Sequence, residues 1–283
     1  MASIKNLLID AANLLAASSD SANLDAEILL CLALNKQRSY LRAWPDKELT
    51  LNQENLFKHY LEERLLGKPI AYITGYKEFW SRDFRVTSDV LIPRPDTELI
   101  IELCLDLLKP HSTAKILDLG TGSGIIGITL AAELPHSHVI ASDFSLDALN
   151  IAKLNAQAHH INNIAFHQSD WLTEIPEQPF NVIVSNPPYI AKDDVHLTQG
   201  DLRFEPSSAL SANESGLSDI KTIINHARNY LIPNGYLLIE HGYDQEFAVQ
   251  NLFKNANYQH IQTHIDLSGQ PRVTRGQWQS HSI

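Results

Sequence analysis

The sequence predicts an α/β protein: a doubly wound, mainly parallel sheet closing on an antiparallel pair, behind a small N-terminal helical bundle. Three observations carry this. From Lys115 onward, short apolar runs alternate with helical stretches, the βαβ rhythm of a parallel sheet covered on both faces. Near the C-terminus two strand-like runs follow each other with no helix between them. The first 75 residues, by contrast, carry apolar residues only at helical spacing. A chain of 283 residues suits one large and one small domain. The boundaries expected are 1–75 for a helical domain, 76–98 for a hairpin and proline-rich linker, and 99–283 for the main domain.

Taken in order, Ile4, Leu7, Leu8, Ala11, Leu14 and Leu15 make the apolar face of a first helix. A second runs from about Asp25 to Leu34. A third starts with a capping box, Thr50 with Gln53, and turns Leu56, Phe57, Tyr60, Leu61 and Leu65 inward before Gly67 and Pro69 stop it. Aromatic and β-branched residues flank a turn at Ser81–Asp83, which predicts a hairpin. Two prolines then hold 91–98 extended, and Thr97 or Asp96 is placed to cap a helix running to Leu108. The strands expected are Lys115–Leu119, His138–Ser142, Ile164–Gln168, Phe180–Ser185, Gly235–Glu240, Tyr258–Asp266 and Arg272–Trp278. The helices between them are expected at Ile125–Glu133, Leu146–Ala158 and Ser218–Leu231.

Composition removes several function classes. No apolar stretch approaches the roughly 20 residues of a membrane helix, and the N-terminus has no basic region or cleavage site of a secretion signal. The two cysteines, Cys31 and Cys104, sit in apolar helical runs as small buried hydrophobes, which suits a reducing cytoplasm. The net charge is −11 and no basic run exists, which weighs against nucleic acid as a direct partner. Residues 1–75 are nearly neutral, with 8 basic and 9 acidic side chains. The 13 histidines include no set at metal-ligand spacing, so no metal is expected.

The first chemical signal is Asp118-Leu-Gly120-Thr121-Gly122-Ser123-Gly124-Ile-Ile-Gly127, running from strand into helix. Glycines let the backbone turn sharply and approach a ligand closely. The second strand ends in Asp143, whose carboxylate can accept both hydroxyl hydrogens of a ribose. Alone, this fits a dinucleotide site, a site for S-adenosylmethionine, or a tight turn with no ligand. Asp118 favours S-adenosylmethionine. That molecule carries an ammonium and a sulfonium but no phosphate, so a carboxylate beside it attracts where a pyrophosphate would be repelled. Asp170 and Trp171 follow the third strand. They are candidates for an adenine amino group and ring, or else an ordinary helix cap and a core indole.

The second signal is Asn186-Pro187-Pro188-Tyr189 at the end of the fourth strand. The prolines stop the strand and stiffen it where a parallel sheet forms its ligand crevice. A planar amide or aromatic amine nitrogen has a delocalised lone pair and cannot be deprotonated first. Two acceptors, the Asn186 side-chain oxygen and the Pro187 carbonyl, would hold its NH2. The Tyr189 ring would stack on the acceptor plane. Such positioning supplies several kcal/mol, up to roughly 7–11.

These residues resemble the Asn-Pro-Pro-Tyr amino-methyltransferases. Within them the whole chain is similar to the protein-(glutamine-N5) methyltransferases that act on peptide chain release factors, the proteins of translation termination. The resemblance also rests on Asp25-Ala-Glu-Ile-Leu, Gly67–Gly75, Glu78-Phe-Trp, Pro93-Arg-Pro-Asp-Thr-Glu98, Phe204-Glu-Pro206, Ala209-Leu210, Glu240–Gln245 and Asp266-Leu-Ser-Gly. It implies a class I methyltransferase fold: seven strands, mainly parallel, with an antiparallel C-terminal strand. It implies S-adenosylmethionine as cofactor, with Gly120 to Gly124 along its methionine part, Asp143 on the ribose and Trp171 beside the adenine. Asn186 would touch cofactor and acceptor, Asn186, Pro187, Pro188 and Tyr189 together would grip the substrate, and the target would be the glutamine of a Gly-Gly-Gln loop. One departure is Asn213-Glu-Ser-Gly216, where the family often has an acidic-Asp-Gly turn. That loop is expected to be peripheral.

Four alternatives bring different expectations. A sister family methylates a glutamine of a large-subunit ribosomal protein; Arg94–Glu98 looks like the release-factor branch. A DNA or RNA adenine N6-methyltransferase would flip a base into the same motif, but needs a basic face. A nicotinamide-dependent oxidoreductase has no task for Asn-Pro-Pro-Tyr. A protein that only senses S-adenosylmethionine would not need the acceptor residues.

Overall fold

The computed structural model describes residues 2–109, 113–176 and 179–279. The chain divides into two compact units, Met1–Tyr76 with Gln199–Phe204, and Lys77–Thr198 with Glu205–Ile283. The assignment of 199–204 to the helical unit has no counterpart in the sequence pattern.

The first unit contains α1 (Ile4–Leu15), α2 (Ala22–Leu34), α3 (Arg38–Ala43), α4 (Leu51–Leu65) and α5 (Ile70–Thr74). Ile4, Leu7, Ala11 and Leu15 of α1 pack with Leu29 and Leu30 of α2 and Phe57 and Leu61 of α4. The stripe is narrower than the spacing suggests: Leu14, Leu56 and Leu65 are exposed. The capping box at Thr50 and Gln53 forms as expected. Helices α3 and α5 are only 6 and 5 residues long, too short to show a repeat in sequence. Buried Asp25 accepts from Arg64 Nε at 2.8 Å and from the Ser19 and Ser21 hydroxyls, at 2.8 and 2.9 Å. A buried carboxylate is tolerable only with such partners.

The second unit opens with the hairpin β1 (Tyr76–Phe79) and β2 (Arg82–Arg85). Its turn is Trp80-Ser81, both left-handed with φ of 51° and 56°, and not the expected three residues Ser81–Asp83. That is the two-residue turn whose twist matches paired strands. Phe79 and Phe84 lie in the unit's main core, so 76–98 is integral to it and not a free linker. A single 3-10 turn, Pro95–Thr97, leads into α6 (Glu98–Leu107). Thr97 occupies the cap position, yet its side chain makes no capping bond.

Next come β3 (Lys115–Leu119), α7 (Ile125–Glu133), β4 (His138–Asp143), α8 (Leu146–Ala158), β5 (Ile164–Gln168) and β6 (Phe180–Ser185). The short pieces β7 (Ile190–Ala191), α9 (Ser207–Leu210), β8 (Ser211–Ala212) and α10 (Asn213–Gly216) follow. They lead to α11 (Ser218–Ala227), β9 (Leu231–Glu240), α12 (Glu246–Asn255), β10 (Gln259–Ile265) and β11 (Pro271–Gln277). The large sheet has seven strands in the order β10-β11-β9-β6-β3-β4-β5. Its first four sequential strands and β9 are mutually parallel, and β11 runs antiparallel to both neighbours. This is the class I methyltransferase sheet. One apolar cluster covers each set of helices: Ile100, Ile126 and Leu130 in one, Ile220, Ile223, Val249 and Phe253 in the other.

Several elements depart from the expectation. Helix α11 stops at Ala227, four residues short of the expected Leu231, and the short pieces β7, β8, α9 and α10 have no counterpart in the sequence reading. Helix α12 has no counterpart in the sequence reading, because only Val249 and Phe253 are buried and two apolar positions do not make a visible period. Strand β9 starts at Leu231, four residues early, through an irregular register with β6 between Phe180 and Val182.

Candidate active site

Register brings the chemistry to one edge. Leu119 of β3 sits between Ser142 of β4 and Ser185 of β6, so the glycine loop, Asp143 and Asn186 leave neighbouring strands at the same level. Between them lies a cavity of about 420 Å³, within the usual range for small-molecule sites. Gly120, Thr121, Gly122, Ser123, Asp143, Asp170, Trp171, Asn186 and Pro188 all line it.

The glycine loop is built around Asp118. Its carboxylate is fully buried; Oδ2 accepts from the Thr121 hydroxyl at 2.6 Å and from the Gly127 N–H at 2.9 Å. Its Oδ1 has no partner among the described residues. Burial pushes its pKa up to about 7. Asp118 therefore holds the loop from behind and does not line the cavity, contrary to direct contact with a ligand. Gly124 is also outside the lining. It starts α7 at φ +88°, and a Cβ there would meet Ile128 and Ala152, so its role is close packing. At Gly120 a Cβ would come within 3.3 Å of the Trp171 ring, so glycine lets the indole overhang the loop.

Asp143 is half-buried, and burial raises its pKa. Oδ2 accepts from Gly122 N–H and Oδ1 from Ser145 N–H, each at 2.9 Å. The carboxylate also lines the cavity, where it can accept from a diol. Trp171 adopts φ 51°, with its carbonyl bonded by the Ser169 hydroxyl at 2.9 Å and its indole hydrogen-bonded to Asp219. Asp170 is exposed beside it.

Asn186 donates through Nδ2 to the Thr97 hydroxyl at 3.2 Å, which leaves Oδ1 without a hydrogen bond among the described residues. Pro187 is buried and Tyr189 half-buried, and both lie outside the cavity lining. The Tyr189 hydroxyl donates to Glu240 Oε1 at 3.3 Å; burial and the neighbouring Glu240 charge raise its pKa. Its ring is thus tied to the end of β9, where the sequence suggested only stacking on an acceptor. Its carbonyl accepts from Gln245 Nε2 at 2.9 Å. The turn before α11 is not peripheral. Glu214 and Ser215 are left-handed, and a Cβ on Gly216 would lie 2.0 Å from the Tyr189 carbonyl oxygen.

Other lining residues went unnoticed in the sequence. Phe144, directly after Asp143, is 72% exposed and lines the cavity. The turn at Ser88–Val90, with Leu91, Pro93 and Arg94, forms another wall. Arg94 pairs with the buried Glu205 at 2.5 Å, and Glu205 also accepts from Ile92 N–H at 2.9 Å. Phe204-Glu-Pro206 carries that signal without revealing the partner.

The Methyltransferase small domain family matches residues 98–205, and the PrmC N-terminal domain family matches residues 6–75. A relative from Aliivibrio fischeri named release factor glutamine methyltransferase is 47% identical over 261 residues, 92% of either chain. A relative of the same name from Coxiella burnetii is 44% identical over 273 residues, 96% of this chain and 98% of its own. A solved methyltransferase from Pyrococcus furiosus shares the fold at TM-score 0.54 and 15% identity, covering 79% of this chain and 100% of that one. With identity at this level along nearly its whole length, the chain belongs to the release factor glutamine methyltransferase family.

Proposed function

We infer that the chain transfers a methyl group from S-adenosylmethionine to the side-chain amide nitrogen of a glutamine in peptide chain release factors, within their Gly-Gly-Gln motif. The observation that carries the reading is Asn186. It lines the same cavity as the glycine loop and Asp143, with its Oδ1 unengaged.

The residues fit the cofactor. Asp143 can accept from ribose hydroxyls, and Phe144 and Trp171 offer apolar surfaces for a purine. The cavity also carries the acidic side chains of Asp89, Asp170 and Asp219, suited to a ligand with two cationic groups. Asp118 contributes from behind the loop. When bound, the cofactor supplies an electrophilic methyl whose leaving group is a neutral thioether, so no general acid is needed. The protein's task is placement. Asn186 Oδ1 accepts from the amide NH2 at the cavity and Pro188 closes one side, while Pro187 and Tyr189 stand behind them, Tyr189 held by Glu240 and Gln245. As the nitrogen–carbon bond forms, positive charge develops on the amide, and the Asn186 oxygen stabilises it. One amide proton is then released to solvent without a dedicated base.

The N-terminal unit is assigned to recognition of the partner protein. A glutamine side chain offers few atoms, so choosing one requires contacts away from the reacting nitrogen. The setting is cytoplasmic, which free Cys31 and Cys104 suit. The test is transfer of labelled methyl to a purified release factor, with the modified residue located by mass spectrometry. Label on the Gly-Gly-Gln glutamine is expected. Label on a ribosomal protein or an adenine, with none on the release factor, overturns the reading.

A further inference from the structure

We propose that Gln245 is a positioning residue for methyl transfer: by holding the Tyr189 carbonyl, it fixes the exit of the Asn-Pro-Pro-Tyr turn and with it the seat of the acceptor. This rests on the reading of Asn186 and Pro188 as that seat.

The entry of the turn is set by the sheet, where Ser185 is in register with Leu119 of β3 and Ile239 of β9. Asn186 adds its bond from Nδ2 to Thr97. Pro187 and Pro188 have no N–H, so neither can tie its own backbone down by donating. Their rings fix φ and leave ψ as the freedom of each. A fixed point at the exit removes that freedom. That point is the Tyr189 carbonyl, which accepts from Gln245 Nε2 at 2.9 Å. The bond from the Tyr189 hydroxyl to Glu240 holds the ring, and Gln245 holds the backbone.

The direction of the Gln245 amide is dictated by its partners. Its Oε1 accepts from the Gly242 N–H at 2.9 Å, so the oxygen is held within its own loop. Its Nε2 has two hydrogens to give and faces two carbonyls, Tyr189 at 2.9 Å and Ser215 at 3.2 Å. A reversed amide would set NH2 against an N–H and oxygen against two carbonyls. One buried side chain therefore joins three segments: the turn after β6, the left-handed turn before α11, and the loop after β9. Gly216 lets them meet, since a Cβ there would lie 2.0 Å from the Tyr189 carbonyl oxygen and 2.9 Å from Gln245 Nε2. Strand β9 lies beside β6 on the side away from β3, so Gln245 grips the acceptor turn from the side opposite the glycine loop. It does not line the cavity. Its loss is therefore felt by the acceptor and not by the cofactor.

The test uses the full-length chain, S-adenosylmethionine and a purified release factor. Gln245→Met keeps the length and removes all three bonds. Gln245→Glu keeps an oxygen for Gly242 and sets the other against the two carbonyls. Both should lower kcat by at least about tenfold, counted per cofactor site found by calorimetry, because a small misplacement of the acceptor is enough. KM for the release factor should stay within about twofold, since that binding draws on contacts away from the reacting nitrogen. Affinity for S-adenosylmethionine should match the parent. In an Asn186→Ala background, Gln245→Met should cause no further loss. Should Gln245→Met fail to fold, Gln245→Ala is read in the same way. Parent-like kcat in Gln245→Glu overturns the proposal, because the bond to Gly242 alone then suffices. A loss in which cofactor affinity falls in step, or one that adds in full to that of Asn186→Ala, makes Gln245 merely structural and also overturns it. Those outcomes leave the reading of the site standing. Full activity of Asn186→Ala overturns that reading, and the proposal with it.

Discussion

Asp143→Ala removes more than a cofactor contact. The carboxylate holds Gly122 N–H and Ser145 N–H, each at 2.9 Å, so it ties the glycine loop to the start of α8. Hydrogen bonds to a charged group contribute about 1.5–3 kcal/mol each. Losing even one such bond to a ribose hydroxyl weakens cofactor binding by roughly 10- to 150-fold. The loop anchors add to this. An alanine leaves Gly122 N–H at the cavity wall with no partner, and the loop loses the preorganisation that binding uses. The expected result is a fall in affinity of at least about 100-fold with only modest loss of stability, because Asp143 is half-buried and water can replace it. Isothermal titration with S-adenosylmethionine and a thermal melt of the ligand-free protein measure the two effects separately. Affinity equal to that of the parent would refute the argument. So would a melt showing that the fold, and not the site, has been lost.

Four further outcomes are expected. Tyr189→Phe leaves the buried Glu240 without its hydroxyl donor and should lower stability by about 1–3 kcal/mol while keeping more activity than Tyr189→Ala; equal activity in the two would show that the ring itself does nothing. Gly216→Ala forces a Cβ to within 2.0 Å of the Tyr189 carbonyl oxygen at φ +84°, where backbone cannot yield cheaply, so kcat and thermal midpoint should fall together; parent-like kinetics would sink this. Burial holds the pKa of Asp118 up to about 7, so the folded chain binds that proton more tightly than the unfolded chain. Its stabilising effect is complete below the ordinary carboxylate range and is lost as pH rises through about 7, so a pH series of melts should fall over that window and flatten in Asp118→Asn. A truncated chain starting at Thr74 should bind cofactor yet methylate intact release factor poorly; full activity on the intact protein would remove the helical unit from recognition.

The sequence alone determined the strand–helix alternation, because a parallel strand buried on both faces must be a continuous apolar run, and those runs survive in any context. It also determined the glycine loop and the Asn-Pro-Pro-Tyr turn, where backbone freedom and backbone stiffness each demand one residue type. Elements with a thin apolar signal stayed invisible. Helix α12 buries little more than Val249 and Phe253, and α3 and α5 are shorter than two helical turns. Only the tertiary structure decided which named residues meet the cavity. Asp118, Gly124, Pro187 and Tyr189 stand behind it, whereas Phe144, which no motif marks, and Thr97, expected only as a helix cap, line it. The reason is the range of the information. Periodicity and turn chemistry act over a few residues, but the hydrogen bonds that tie down the Asn-Pro-Pro-Tyr turn join Asn186 to Thr97 and Tyr189 to Glu240, far apart in the chain. They exist only because parallel register carries the ends of β3, β6 and β9 to one edge.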